Sequence, residues 1–153
     1  MANVSHVKSK FFGPVDATDA DGISTTASIS GAAALTINGT LTASGSYTSG
    51  DNIGQIITIT SAGDDTGITF TIVGTDAVGD AQTEAVTGAN ADVASSSGYY
   101  NTVASITTSA SSDAAVTAGV LGSSTAGEMG TGTIFAGRTR VRGLQGLSAA
   151  TAG

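Results

Sequence analysis

The sequence predicts an all-β protein, an antiparallel β-sandwich of Ig-like or jelly-roll-like kind with extended N- and C-terminal arms. Three observations carry that expectation. Short runs of Ile, Val, Thr and Phe alternate apolar with polar residues, turn-forming clusters separate them at intervals of about eight to twelve residues, and helical periodicity is absent. Glu occurs only at positions 84 and 128 and Lys only at 8 and 10, so an exposed helix would lack its usual polar face.

The strands follow in order. IITIT (56–60), ITFTIV (68–73) and TVASITT (102–108) have the β-branched and aromatic content that suits a pleated, half-buried surface. In the second of these, Ile68, Phe70 and Ile72 share one face while Thr69 and Thr71 take the other. Asn38-Gly39 within ALTINGTLTASG predicts a hairpin over 34–43, because a two-residue type I′ turn needs positive φ at both positions. Residues 61–67 (SAGDDTG) are expected to join IITIT to ITFTIV as a second hairpin, and 74–79 to lead into the next strand. The resulting organisation is an N-terminal arm at 1–30, a sandwich at 31–122, and at 123–153 a flexible connection, SSTAGEMGTGT, followed by a C-terminal strand.

Composition narrows the function classes. The 153 residues favour one compact unit. With no Cys in the chain, disulfides and thiolate metal sites are excluded. The beginning, MANVSHVKSKFF, lacks the apolar run of a signal peptide, and no stretch approaches the roughly 18 apolar residues of a membrane span, so a soluble product made in the cytoplasm is expected. All five basic residues, Lys8, Lys10, Arg138, Arg140 and Arg142, sit near the ends, and everything between is acidic or neutral. Such a centre repels nucleic acid.

The chemistry-bearing residues are few. Asp64, Asp65, Asp76 and Asp80 flank the Ile68–Val73 strand, and hairpin geometry puts their loops at opposite ends of it. A Ca²⁺ ion needs about six to eight converging oxygens, so each loop would have to build a site alone. Ordinary turn chemistry, in which Asp bonds nearby backbone, accounts for the same residues. His6 is the only histidine, and no Gly-x-Ser-x-Gly elbow accompanies it, so a nucleophilic triad lacks its parts. The carboxylates lie among Gly, Ser and Thr, where they are expected to stay solvated and unsuited to acid catalysis. A non-enzymatic protein without a cofactor is therefore expected. Tyr99-Tyr100, the aromatic pair, reads either as one ring in the core and one outside, or as a platform for a glycan or partner. In GRTRVRGL the three Arg alternate with Thr139 and Val141, and Lys8 and Lys10 alternate likewise. In extended form these residues make basic strips that deter edge aggregation, dock an acidic protein partner or contact nucleic acid, the last without the interleaved aromatics that single-strand binders use.

NIGQIITITSAGDDTGITFTIVGTDAVGDAQTEAVTGANA (52–91), with YYNTVASITTSA (99–110) and RVRGLQGLSAATAG (140–153), resembles β-sandwich virion structural proteins of tailed bacteriophages, marine ones in particular. That resemblance covers about half of the chain. It implies a capsid decoration (cement) protein on the virion surface, with the major capsid protein and copies of itself, in trimers, as partners. It brings no catalytic residues. The alternative it leaves open is a tail, fibre or receptor-binding appendage that touches host glycan through its loops and Tyr99 and Tyr100.

Overall fold

Alternation does decide the architecture. A computed structural model describes residues 16–52 and 54–122. Its strands are β1 (Asp19–Ser28), β2 (Thr42–Ala43), β3 (Ser46–Thr48), β4 (Gln55–Ser61), β5 (Thr69–Thr75), β6 (Ala81–Thr87), β7 (Val93–Tyr100), β8 (Thr102–Thr108) and β9 (Ala115–Leu121). They form two antiparallel sheets packed as a sandwich, one ordered β1-β9-β4-β7 and the other β2-β3-β8-β5-β6. Among the described residues there is no helix, hence none long and apolar enough to cross a membrane.

The core is what the sheets turn towards each other. In the first sheet Ile57 lies opposite Val120, Ile59 opposite Ala118, and Ser61 opposite Val116, all buried on one face. From the second sheet Phe70, Ile72, Val86, Val103, Ile106 and Tyr47 meet them. Each large apolar side chain removed from water in this way contributes about 1.5–3 kcal/mol. On β8 the alternation breaks, and both Val103 and Ile106 are buried although three residues apart. A bulge explains it: Val73 pairs with Ser105 and Gly74 with Val103, which leaves Ala104 as the extra, exposed residue.

Three expectations need correction. Asn38-Gly39 is not a hairpin turn; the two-residue turn falls at Ser44-Gly45, with φ of 53° and 77°, and joins β2 to β3. Asn38 and Gly39 instead lie across the outer edge of β1, where their N–H groups donate to the Ile23 carbonyl at 3.1 and 2.9 Å. Gly39 is required there by closeness, since a Cβ would run into the Gly22 carbonyl. Residues 61–67 do not close a hairpin either. Both edges of β4 are already taken, by β7 and β9, so the chain crosses to the other sheet before β5 begins. The N-terminal boundary also moves, because β1, inside the stretch expected as an arm, is an integral strand hydrogen-bonded to β9. The C-terminal strand expected after residue 133 lies outside the described residues.

Strand directions give the sandwich two distinct ends. At one, the loops at 62–68, 88–92 and 109–114 meet, with Ala91 N–H donating to Gly63 at 2.8 Å and Ser109 N–H to Thr69 at 2.9 Å. At the other, Asn101 N–H donates to Thr75 at 2.8 Å and Ser49 N–H to Asn101 at 2.8 Å. The β5–β6 turn sits at this second end.

Candidate functional site

The acidic loops separate as strand geometry requires, one before β5 and one after it. Asp64 accepts from Thr66 N–H at 3.1 Å and from Thr66 Oγ1 at 2.7 Å, bonds that hold its exposed carboxyl below the ordinary value. Asp76 Oδ1 accepts the N–H groups of Val78, Gly79 and Asp80 at 2.9, 3.0 and 3.0 Å. Asp80 is exposed, and its carbonyl accepts Asp76 N–H at 3.0 Å. These are self-bonded turns. Among the described residues, no three His, Cys, Asp or Glu side chains are grouped so as to hold a metal ion.

Solvation of every carboxylate was the expectation, and two depart from it. Asp65 and Asp51 are fully buried. Asp65 reaches across its end of the sandwich to accept Asp113 N–H at 2.8 Å. Asp51 accepts Gly54 N–H at 3.0 Å and the Ser49 hydroxyl. Both satisfy backbone or hydroxyl donors of loops that turn away from the sheets, work that residue-type patterns in a loop do not advertise.

The second end carries the surface of interest. Asp16 and Gly122, the first and last described residues, lie against one another: a Cβ on Gly122 would strike the Asp16 carbonyl, and Thr18 Oγ1 donates to the Gly122 carbonyl at 3.0 Å. Asp16 is fixed in turn by Tyr47, whose hydroxyl donates to its carboxylate at 2.8 Å, and by Gly50 N–H at 3.1 Å. Burial, and then the Asp16 carboxylate, push the Tyr47 phenol far above its ordinary value. The two flanking segments therefore depart from neighbouring points at one end.

Those segments hold every cation in the chain. Lys8, Lys10, Arg138, Arg140 and Arg142 lie outside the described residues, as does His6, whereas all the Asp and Glu except Glu128 lie within them. The described sandwich is thus purely anionic, with no Lys or Arg of its own to pair with its carboxylates.

Beside the departure point is a row of accessible apolar side chains. Leu121 pairs with Ile56, and Ile56 with Tyr99, on the outer face of the first sheet. Leu121 is 53% exposed, and Ile56 and Tyr99 are partly so. Tyr100 points the other way and is fully buried, with its hydroxyl 3.4 Å from the Ile72 carbonyl. The pair is consequently no two-ring platform, and only Tyr99 is available to a partner. The row was invisible in the sequence because its members are far apart there; only the register β9-β4-β7 assembles it.

A second arrangement joins the two sheets at the β7 edge. Where β7 bulges at 96–98, Glu84 of the other sheet accepts Ser97 N–H at 2.7 Å and Gly98 N–H at 3.0 Å, one on each carboxylate oxygen. Ser96 Oγ adds a bond from Ile57 N–H at 2.9 Å. Glu84 lies between Gln82 and Val86 on the core-facing side of β6, so its position in the alternation was the available signal.

No family model, curated protein or solved structure matches the chain.

Proposed function

We propose that this chain is a virion structural protein of a tailed bacteriophage, a capsid decoration (cement) protein that covers the outer capsid lattice and bridges neighbouring subunits. The observation that carries the reading is the joint departure, from one end of an anionic sandwich, of the two segments that contain all of the chain's Lys and Arg. A body with that layout stands on a surface and grips it through two basic flanks, while its own negative charge keeps the outside soluble. Leu121, Ile56 and Tyr99, at the same end, supply apolar area for the contact. The resemblance of 52–91 and 99–110 to phage virion sandwiches points the same way. In this reading the protein acts without catalysis or cofactor, and its partners are the major capsid protein and copies of itself. Modest affinity per copy is enough, because a lattice multiplies contacts.

Attachment to particles stripped of the protein tests the proposal. Deleting residues 1–12, or changing Arg138, Arg140 and Arg142 together to Ala, is expected to weaken attachment while circular dichroism shows an intact sandwich. Full attachment of both variants would contradict it. Binding of the purified protein to cells or polysaccharide, with none to stripped capsids, would favour the receptor-binding appendage.

A further inference from the structure

A sandwich exposes four edge strands, and each is a template for an added strand unless something blunts it. Three are blunted here. On β7 the bulge at 96–98 interrupts the edge, Glu84 occupies the N–H groups of Ser97 and Gly98, and Asp92 Oδ1 takes Val93 N–H at 2.8 Å. Residues 38–41 cover β1, with Leu41 N–H donating to Gly22 at 2.8 Å and Thr25 N–H to Asn38 Oδ1 at 3.1 Å. The third, β2, is only two residues long.

β6 differs on every count. It pairs with β5 from Thr69–Thr87 to Thr75–Ala81 without a register shift, so it is regular along its whole length. The direction of its backbone groups follows from β5. Thr69 and Thr75 bond towards the β8 side, through Ser109 and Asn101, so Phe70, Ile72 and Gly74 face β6. Their partners Val86, Glu84 and Gln82 face back, which leaves the N–H and C=O groups of Thr83, Ala85 and Thr87 pointing outwards. Among the described residues nothing bonds to that side, and all three residues are exposed. The edge carries no Lys, Arg, Pro or bulge, and its one charge, Glu84, is turned towards β7 and engaged there.

We infer that the β6 edge is the acceptor for residues 134–142 of a second copy, added as a further strand of the sheet. This inference rests on the lattice reading proposed above and names the surface that one copy offers another. IFAGRTRVR is the matching donor in this chain. It has alternating residues suited to an extended strand, no acidic residue, and three Arg against a sandwich with only carboxylates. Asp76 and Asp80 stand at the Ala81 end of the acceptor, the end to which a donor added antiparallel to β6 brings those Arg. Residues 123–133 connect the donor to Gly122, and eleven residues of extended chain reach about 36 Å, so the donor is free to leave the sandwich that carries it.

The absence of Cys makes the test clean. Full-length Ala85→Cys and Thr139→Cys proteins are mixed and treated with a short bismaleimide, with Ser95→Cys on the blunted β7 edge as the control acceptor. The expected result is a cross-linked heterodimer of Ala85→Cys with Thr139→Cys, absent with the control. Adding Thr83→Pro to the acceptor removes an outward N–H while sparing the pairing with β5, and is expected to abolish the product in a protein that is still folded by circular dichroism. A product found only within single chains of the Ala85→Cys/Thr139→Cys double variant at high dilution would assign the edge to the chain's own flank and overturn the inference. So would no product at all, or an undiminished product with folded Thr83→Pro protein. Because no capsid is present, any of these failures would leave the capsid reading to stand or fall on attachment to particles.

Discussion

Thr18 and Gly122 are joined by a 3.0 Å hydrogen bond across 104 residues of chain, so the sandwich closes at the place where its two flanks depart. Closure requires two backbones in direct contact at Gly122. Gly122→Val is therefore expected to separate the two points and to cost about 1–3 kcal/mol, the usual penalty of overpacking. Denaturant unfolding of the variant measures this, and an unchanged midpoint would show that the flanks depart independently.

Glu84 ties the edge of one sheet to the bulge of the other. Glu84→Ala leaves the Ser97 and Gly98 N–H groups without their carboxylate and is expected to cost about 1.5–3 kcal/mol, the range for hydrogen bonds to a charged group. Glu84→Gln keeps an acceptor oxygen and is expected to cost less. Amide hydrogen exchange gives a second, local readout, with Ser97 and Gly98 losing protection before β4 does.

Stability is expected to respond to alkali through Tyr47. Its folded pKa is raised, by burial first and by Asp16 second, above the ordinary value of 10.0. The folded state thus holds the proton after the unfolded state has released it. Below pH 10 the group contributes no pH dependence, and above it stability falls by about 1.4 kcal/mol per unit until the folded pKa is reached. Tyr100, also raised by burial, adds to the slope. Tyr47→Phe is expected to make the alkaline slope of unfolding free energy shallower, at a cost near neutrality of about 1.5–3 kcal/mol for the lost bond to the Asp16 carboxylate. In acid the sign reverses: Asp19, held low chiefly by its bond from Thr40, and Asp64, held low by Thr66, contribute stability above pH 3.8 that is lost as pH falls through their lower folded values.

Two glycines separate the expected hairpin from the observed one. At Gly45 a side chain meets open space and only the positive φ opposes it, so Gly45→Ala is expected to cost about 1 kcal/mol. At Gly39 the obstacle is the Gly22 backbone, and Gly39→Ala is expected to cost more, about 2–3 kcal/mol, because backbone must shift. The opposite ranking in thermal unfolding would restore the turn to Asn38-Gly39.

Much of this fold was legible because burial on one face imposes a period of two. β8 coincides with the stretch read as a strand, and β4 and β5 contain or overlap theirs, with Ile68, Phe70 and Ile72 buried together as alternation required. What was illegible depends on contacts distant in sequence. Asn38-Gly39 has the chemistry of a turn, but the same residues suit a backbone pressed against β1. Nothing near Ser61–Gly67 states that β7 and β9 already occupy both edges of β4. The candidate surface divides the same way: the confinement of positive charge to the flanks was plain, whereas the meeting of those flanks at Asp16 and Gly122 and the row of Leu121, Ile56 and Tyr99 arise from register alone.

The central claim is that this protein covers a capsid lattice. Its most direct test is the number of copies of this chain per purified virus particle, counted by quantitative mass spectrometry against the major capsid protein. The account predicts a ratio equal or simply related to that of the capsid protein. A handful of copies per particle would assign the chain to the tail or fibres, and none would contradict the virion role altogether.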